Sequence, residues 1–387
     1  MKLVWHISSP FHRSGYGNIA RQILPRIRDN GNDIIIASKM DSESTTWQGM
    51  QVINGKDAIG LVQYTNYCGD IDYVIDTQDP WDTPTPFGNT VALACLDIDY
   101  AYPEIVKKLE HARFQFCVSQ HNLKEYRKFG LNPYYCPWGI DTKLYTKKSG
   151  ARERLNKLYN IPDNTFLIGT VGQNMFSDRK NFTGLLRAFA YFSDKHPNAM
   201  LYMHTAVGTF YTLYSDYLRG GSGMAPWLAR MIKEFGLEKK VIYPDQIKLV
   251  NFGYSEEDMA DIYSAFDVFC LPTKGESFCL PLLESQACEV PVIVTDSSAC
   301  TEAVQKDAGW LIPIEEDDLI YTDTGSWAVN PRPKMIAEYL EYGLEAWENH
   351  KLADMGKAAR DSVLKYNWDT IFNRYWIPFL EMLRRNK

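Results

Sequence analysis

The stretch KGESFCLPLLESQACEVPVIVTD, from Lys274 to Asp296, contains a loop, a helix start and a buried strand in immediate succession. Pro281 suits the first turn of a helix, because its missing N–H would be unpaired there in any case. Leu283 and Ala287 then fall on one helical face. The apolar run Val290–Val294 follows as a buried strand. This order of elements is typical of an α/β protein.

Two carboxylates, Glu276 and Glu284, stand on either side of this helix start. The pattern puts Glu276 in the loop and Glu284 on the first helical turn. The free backbone N–H groups at the start of the helix belong to Phe278, Cys279 and Leu280, and such groups bind anions and polar ligands. The stretch therefore predicts a ligand cleft at this helix N-terminus.

The composition is that of an ordinary globular protein, with 45% hydrophobic and 23% charged residues in a chain of 387. The formal net charge of -7 gives no global basic field for nucleic acid or an anionic membrane. The eight cysteines include no C-x-x-C pair and several lie in apolar runs, a pattern of reduced thiols that predicts neither disulfides nor a zinc site.

The segment MKLVWHISSPF lacks the apolar core of a secretory signal, and no run approaches the roughly twenty apolar residues of a membrane span. The expected location is the cytoplasm, with a peripheral position at a membrane surface as an alternative. The sequence leaves the oligomeric state open.

Strand-like and helical patterns alternate along the chain and predict two doubly wound, Rossmann-like α/β domains. The expected domains are 1–160 and 161–365, with the lysine-, arginine- and asparagine-rich segment 141–163 as a linker. In the first domain, one helix is expected from Gly17 to Gly31 and one strand from Thr90 to Asp97. In the second, Ser255 is expected to cap a helix that begins at Glu256.

Two further segments could bind a ligand. In SSPFHRSGYGNIA, Gly15 and Gly17 leave room for a close ligand at a helix start, although a flexible turn explains them equally well. In VGQNMFSDRKNFTGLL, Arg179 and Lys180 precede a helix, where cations oppose the macrodipole unless an anion lies between, and a solvated surface pair is the alternative. The dinucleotide fingerprint G-x-G-x-x-G and the P-loop are missing, which disfavours a nicotinamide oxidoreductase.

In this order, the glycine-rich turn, the Arg-Lys pair and the E-x7-E block resemble glycosyltransferase family 4, which has the GT-B fold. The block ESFCLPLLES, the segment CPWGIDTKLY and the final stretch NWDTIFNRYWIPFLEML carry the resemblance along nearly the whole chain. It implies two Rossmann-like domains facing a central cleft. The first binds the acceptor, the second binds the nucleotide sugar, and the C-terminal helix 366–387 packs back on the first.

The resemblance also implies roles for single residues. Glu284 would accept hydrogen bonds from the ribose hydroxyls of a sugar nucleotide and Glu276 from those of the donor sugar. Lys180, with Arg179, would stabilise the departing diphosphate. The remaining donor-binding positions are Gly15, Gly17, Gln173, Ser277, Phe278, Cys279 and Leu280.

Four positions depart from the family pattern. Gln173 stands where an arginine is common, so Arg179 and Lys180 would meet more of the diphosphate charge. Ser277 and Cys279 replace two glycines of the motif and narrow the sugar pocket. The family's histidine at the end of a first-domain strand is missing, and Asp97 is expected in its place, where it would orient or deprotonate the acceptor hydroxyl.

Other polar residues support weaker predictions. Asp76, Asp79 and Asp82 could line the acceptor side of the cleft, and a plain Asp- and Pro-rich turn is the alternative. Core packing is the better interpretation of His6, and a structural role is the better one for His204.

The resulting prediction is a retaining, metal-independent hexosyltransferase that moves a sugar from a UDP- or GDP-linked donor to a hydroxyl acceptor, with no bound cofactor. A glycan or lipid-linked glycan is the expected acceptor, with a nucleobase hydroxyl as an alternative. The alternatives are a non-catalytic nucleotide-sugar-binding protein and a sugar-nucleotide epimerase of GT-B shape.

Overall fold

The computed structural model describes residues 1–38, 44–53, 70–79, 85–86, 88–175, 177–208, 226–322 and 326–387. The chain divides into two compact units. The first comprises Met1–Leu96, Tyr100–Gly139 and Tyr366–Lys387, and the second comprises Asp97–Asp99 and Ile140–Lys365. Each unit contains a parallel sheet with helices, so the predicted α/β class is confirmed.

In the described part of the first unit, eight strands form one sheet in the order β3-β4-β2-β1-β5-β6-β7-β8. Neighbouring strands are parallel except for the β3–β4 pair. The chain runs outward from β1 on one side and outward from β5 on the other, so the order reverses between β1 and β5. The strands are β1 Lys2–His6, β2 Asp33–Ala37, β3 Thr45–Trp47, β4 Met50–Ile53, β5 Tyr73–Asp76, β6 Thr90–Leu93, β7 Phe114–Cys117 and β8 Tyr134–Tyr135.

The helices described between these strands are α1 Gly15–Asp29, α2 Pro103–Glu110 and α3 Gln120–Arg127. The first begins two residues earlier than the sequence predicts, because the Ser14 side chain caps it by accepting a hydrogen bond from the Gly17 N–H. Gly31 follows the helix with a φ of 79°, a conformation that glycine adopts easily.

In the described part of the second unit, a six-stranded parallel sheet has the order β11-β10-β9-β12-β13-β14. Its order reverses between β9 and β12. The strands are β9 Phe166–Val171, β10 Ala199–His204, β11 Val241–Ile242, β12 Val268–Leu271, β13 Val292–Thr295 and β14 Gly309–Ile312, and a separate antiparallel pair consists of β15 Leu319–Tyr321 and β16 Trp327–Val329.

The helices described in the second unit confirm the predicted Ser255 cap, since Ser255 and Asp258 form a reciprocal capping box. The helices are α4 Ala151–Tyr159, α5 Phe182–Lys195, α6 Leu228–Glu234, α7 Gln246–Asn251, α8 Glu256–Ser264, α9 Leu280–Ala287, α10 Ser298–Ala303, α11 Pro333–Glu348 and α12 Leu352–Val363. In the segment 141–163, taken from the sequence as a linker, α4 is anchored to this unit by the Arg152–Asp267 ion pair at 3.0 Å.

The end of the chain returns to the first unit. It forms α13 Trp368–Ile371, a π-helical turn Phe372–Trp376 and α14 Ile377–Arg385. Trp376 is fully buried, stacks on Trp138 with ring centroids 5.4 Å apart, and donates its indole N–H to the Pro137 carbonyl at 3.0 Å. The aromatic residues of the final stretch therefore build the core of the first unit.

One strand boundary differs from the sequence prediction in a way that affects the candidate site. The strand β6 ends at Leu93, so Asp97 lies in the following loop and groups with the second unit. The short strands β3 and β4 were not predicted from the sequence, because a three-residue and a four-residue strand carry little periodic signal. Within the described ranges, no helix is long and apolar enough to cross a membrane.

Candidate active site

The loop between β9 and α5 carries the two predicted cations, Arg179 and Lys180. The side chain of Asn181 accepts a hydrogen bond from the Gly184 N–H at 3.2 Å, and Asp178 accepts one from the Phe182 N–H at 3.0 Å. These two side chains cap α5, and the two cations stand immediately before the helix. The capping side chains stabilise the start of the helix and so offset the unfavourable interaction of the two cations with its macrodipole.

The partner of both cations is Glu276, in the loop after β12. Its carboxylate pairs with Lys180 and lies 3.0 Å from the Arg179 guanidinium. It also accepts a hydrogen bond from the Thr273 hydroxyl at 3.0 Å. The backbone N–H of Glu276 donates to the Ser298 hydroxyl at 2.9 Å, which fixes the loop against α10. The two loops thus meet beside the point where the strand order of the second sheet reverses.

Electrostatics hold this carboxylate in its ionised form. Glu276 is only 4% exposed, and burial alone would raise its pKa. The charges of Arg179 and Lys180 outweigh burial and lower the pKa of Glu276 to about 2. Glu276 is therefore an acceptor of hydrogen bonds at neutral pH and not a proton donor.

Asp97 joins the same cluster. Its carboxylate lies 3.1 Å from Arg179 and accepts hydrogen bonds from the backbone N–H and the hydroxyl of Ser277, at 3.1 and 3.0 Å. A Cβ added at Gly275 would lie 2.6 Å from the Asp97 carbonyl oxygen, so a glycine is required where the two segments pass. Ser277, a departure from the family motif, is a direct partner of Asp97.

Glu284 lies in a separate environment on α9. It stands one turn further into the helix than the sequence suggests, because α9 begins at Leu280. Its carboxylate accepts a hydrogen bond from the Tyr263 hydroxyl at 2.9 Å. Burial raises the pKa of Glu284 to about 7, with Tyr263 acting in the opposite direction. The two glutamates of the motif therefore have pKa values on opposite sides of the ordinary value.

The backbone between the two glutamates explains why a glycine suits this motif. Cys279, the residue before α9, has a φ of 67°, in the left-handed region that favours glycine. Its side chain is 4% exposed and Phe278 is 7% exposed, while Leu280 is half-buried. The thiol is therefore packed inside the unit and does not face open solvent.

Gln173 is exposed beyond the end of β9, and its neighbour Asn174 is buried. The Asn174 amide donates to the carbonyls of Ala206 and Pro226, at 3.0 and 2.9 Å, and ties the end of β9 to the segments after β10. His204 ends β10 beside the Tyr254 ring, with centroids 4.8 Å apart. Burial and the nearby Lys248 lower the pKa of His204 to about 4, in keeping with a neutral, packed histidine.

The glycine turn of the first unit is tightly packed. Gly15 is the first residue of α1, and a Cβ added at Gly17 would lie 2.0 Å from the His12 carbonyl oxygen. Gly17 is thus required by the close approach of its own loop. At the same edge of the sheet, the Tyr16 hydroxyl donates to Asp79 at 2.8 Å. Asp76 ends β5, and Asp82 lies outside the described residues.

Five of the predicted site residues form one cluster joined by ion pairs and hydrogen bonds: Asp97, Arg179, Lys180, Glu276 and Ser277. Glu284 accepts its hydrogen bond from Tyr263 elsewhere in the same unit, and Gly15 and Gly17 belong to the first unit. The sequence did not single out Thr273, Ser298 or Tyr263. For Thr273, the sequence offers a single signal, which is that its hydroxyl stands three residues before Glu276.

The chain belongs to the glycosyl transferases group 1 family, whose model matches residues 151–362, more than half of the sequence. Among curated proteins, a D-inositol 3-phosphate glycosyltransferase of Corynebacterium jeikeium is 28% identical over 48% of this chain and 41% of its own length. The matches span less than half the length of the first such relatives.

Solved structures show the same fold over the whole chain. Sucrose-phosphate synthase from Thermosynechococcus elongatus matches with a TM-score of 0.73, 15% identity and full coverage of both chains. Anabaena HepE, solved in complex with UDP and glucose, matches with a TM-score of 0.69 and 15% identity over 98% of this chain and all of its own. These structural neighbours support the GT-B fold that the sequence predicts.

Proposed function

We propose that the protein is a retaining glycosyltransferase that moves a hexose-like sugar from a nucleotide diphosphate to a hydroxyl acceptor without a bound metal. The bond between the sugar's anomeric carbon and the diphosphate oxygen breaks, and a bond from that carbon to the acceptor oxygen forms on the same face. The single observation that carries the proposal is the contact of Lys180 and Arg179 with Glu276. This contact lies beside the point where the strand order of the second sheet reverses, between β9 and β12.

The cluster contains groups suited to binding the diphosphate and the sugar of a donor. Lys180 and Arg179 are fixed cations that can stabilise the charge of a departing diphosphate in a largely buried setting. Glu276 remains ionised and can accept hydrogen bonds from the hydroxyls of the donor sugar. Glu284 is proposed to bind the ribose hydroxyls, and Asp97 to orient or deprotonate the acceptor hydroxyl.

The donor and acceptor are proposed only by class. The solved HepE structure contains UDP, which makes UDP-sugars the first donors to test and GDP-sugars the second. A glycan or a lipid-linked glycan is the proposed acceptor. A thermal-shift screen of nucleotides and nucleotide sugars would identify the donor, because a ligand that binds only the folded state raises the unfolding temperature.

The decisive experiment measures sugar-nucleotide turnover and donor binding in Glu276→Ala and Lys180→Ala. Both variants should lose most of the turnover of the wild-type protein. Near-wild-type rates in both would refute the proposal. The configuration of the product's anomeric carbon, read by proton NMR, tests retention separately.

Arg152→Ala is a matched control. Arg152 forms an ion pair with Asp267, which immediately precedes β12 and therefore lies at the amino end of that strand, whereas Glu276 follows its carboxyl end. The two arginines are similarly buried, with 24% of the Arg152 side chain and 19% of the Arg179 side chain exposed. Removal of this cation should lower stability and leave donor affinity unchanged. Calorimetry that finds tight nucleotide binding without transfer to any acceptor would favour the non-catalytic alternative, and formation of an epimer from the donor alone would favour the epimerase.

A further inference from the structure

The first unit contains a buried His–Asp pair at the point where its strand order reverses. His6 is the last residue of β1 and Asp76 the last residue of β5, and the two residues are partners in the parallel register. In open α/β sheets, ligands bind outside the carboxyl ends of the strands at such a switch point. The Arg179–Glu276 cluster lies at the equivalent point of the second sheet.

The hydrogen bonds of this pair determine the tautomer of a neutral His6 imidazole. His6 Nδ1 lies 3.0 Å from Asp76 Oδ1, and the same oxygen accepts the backbone N–H of Gln78 at 3.1 Å. A carboxylate only accepts hydrogen bonds, so a neutral His6 must carry its proton on Nδ1. Its Nε2 then presents a lone pair, the arrangement in which an Asp orients a His towards a ligand.

Two side-chain nitrogens here are left without a protein partner. His6 is 3% exposed, and its Nε2 is buried with no hydrogen-bond partner in the described structure. The side-chain Nε2 of Gln78 is also buried and unpartnered there. Buried polar atoms are nearly always paired in folded proteins, so unpaired ones mark positions where a ligand or an ordered water completes the bonding.

The two unpaired nitrogens have complementary chemistry. In a neutral His6, Nε2 accepts a hydrogen bond, while the Gln78 amide nitrogen donates one, and both residues are bonded to the same oxygen of Asp76. A hydroxyl group both donates and accepts, so hydroxyl groups suit both atoms. An anion would satisfy the Gln78 amide and leave the His6 lone pair unmatched, and a cation would do the reverse.

We propose that His6, Asp76 and Gln78 form a hydroxyl-binding site in the first unit that takes a hydroxyl of a sugar or another polyol. His6 accepts the hydrogen bond of that hydroxyl, and Asp76 is a positioning residue that acts through the tautomer of His6. The assignment rests on the proposed function in one respect, because a hydroxyl acceptor is what that function requires. It replaces the core-packing interpretation of His6 drawn from the sequence.

The first test is the tautomer of His6 in the wild-type protein. With ¹⁵N-labelled histidine at about pH 8, where an ordinary imidazole is neutral, the His6 ring should show a protonated Nδ1 and an unprotonated Nε2. The signal is assigned by its loss in His6→Gln. If that variant does not fold, removal of the six other histidines one at a time assigns it by elimination. A protonated Nε2 would overturn the proposal.

The second test is a titration with glycerol, myo-inositol and methyl α-glucoside. At least one polyol should shift the His6 Nε2 resonance in a saturable way. The His196 signal should not move, because its Nε2 is already bonded to Glu341 at 2.7 Å and serves as an internal control. No response of His6 to any of the three probes would mean that the site holds only water, and the proposal would be wrong.

Asp76→Asn separates orientation from simple packing. The amide can donate to Nδ1, which allows the proton to move to Nε2 and abolishes the lone pair offered to the ligand. The variant should lose the polyol response and retain wild-type nucleotide binding. A full polyol response in a folded Asp76→Asn protein would contradict the assigned role of Asp76. These spectra contain no nucleotide sugar, so their outcome is independent of whether Glu276→Ala and Lys180→Ala lose turnover.

Discussion

Lys180 and Glu276 form an ion pair between the loops that follow β9 and β12, and both side chains are more than nine-tenths buried. The pair is joined by Arg179, which contacts Glu276 and Asp97 at 3.0 and 3.1 Å. Removal of one member of a buried pair leaves an uncompensated charge, so loss of either Lys180 or Glu276 alone should destabilise the second unit.

Glu276→Gln should make the protein less sensitive to acid. The pKa of Glu276 is lowered to about 2, so its charge stabilises the fold above the ordinary carboxyl pKa, and that contribution is lost as the pH falls towards 2. A shift of this size corresponds to about 3 kcal/mol. Urea unfolding between pH 5 and pH 3 should show a steeper loss in the wild-type protein than in the variant. An equal loss of unfolding free energy with falling pH in the two proteins would contradict the assigned pKa of Glu276.

Glu284→Gln should have the opposite pH dependence. The pKa of Glu284 is raised to about 7, so the folded state holds a proton that the unfolded state releases, and the stability conferred by this proton is lost as the pH rises from about 4.5 to 7. The wild-type protein should lose up to about 3 kcal/mol over this range relative to the variant. Urea unfolding from pH 5 to pH 8 measures the difference, and Tyr263→Phe, which retains Glu284, serves as the comparison.

Cys279→Gly should be more stable than Cys279→Ala. Both variants remove the thiol, but alanine keeps a side chain at a φ of 67°, where residues other than glycine cost roughly 1–2 kcal/mol. The expected difference in unfolding free energy is about 1 kcal/mol in favour of glycine. Equal stabilities would show that the surrounding loop relaxes when the side chain is shortened.

Asp97→Asn tests the proposed role of Asp97 in orienting or deprotonating the acceptor hydroxyl. Loss of a group that accepts the hydroxyl proton should lower the transfer rate by about 100-fold, with donor binding retained. Asp99→Asn is the matched control, because Asp99 accepts a hydrogen bond from the Val329 N–H at 3.0 Å and has a structural role. Equal rate losses in the two variants would assign a structural role to Asp97 as well.

The helices and strands with strong periodic patterns were predictable from the sequence. The buried run of β9, the Ile19, Ile23 and Ile27 stripe of α1 and the Ser255 cap of α8 each follow from local rules that tertiary packing does not override. The strand that was expected to continue to Asp97 ends at Leu93, because an apolar run does not show where its ladder of hydrogen bonds stops.

The membership of the site was predictable only in part. Charged residues with motif spacing, such as Arg179 and Glu276, carry a signal, whereas the hydroxyl groups that support them do not. Tyr263 reaches Glu284 from α8, and Ser298 reaches Glu276 from α10, through contacts that depend on tertiary packing. His6 was assigned to the core because it lies in an apolar strand, and only the position of Asp76 on the neighbouring strand shows its polar partner.

The placement of Trp376 has a consequence for synthesis of the chain. The first unit requires residues from both sides of the main segment of the second, Ile140–Lys365, since Trp138 precedes that segment and Trp376 follows it. A ribosome therefore releases nearly all of the second unit before the indole that completes the first core exists. Domains generally fold as units during synthesis, so the second unit should fold first and the first unit should be completed last.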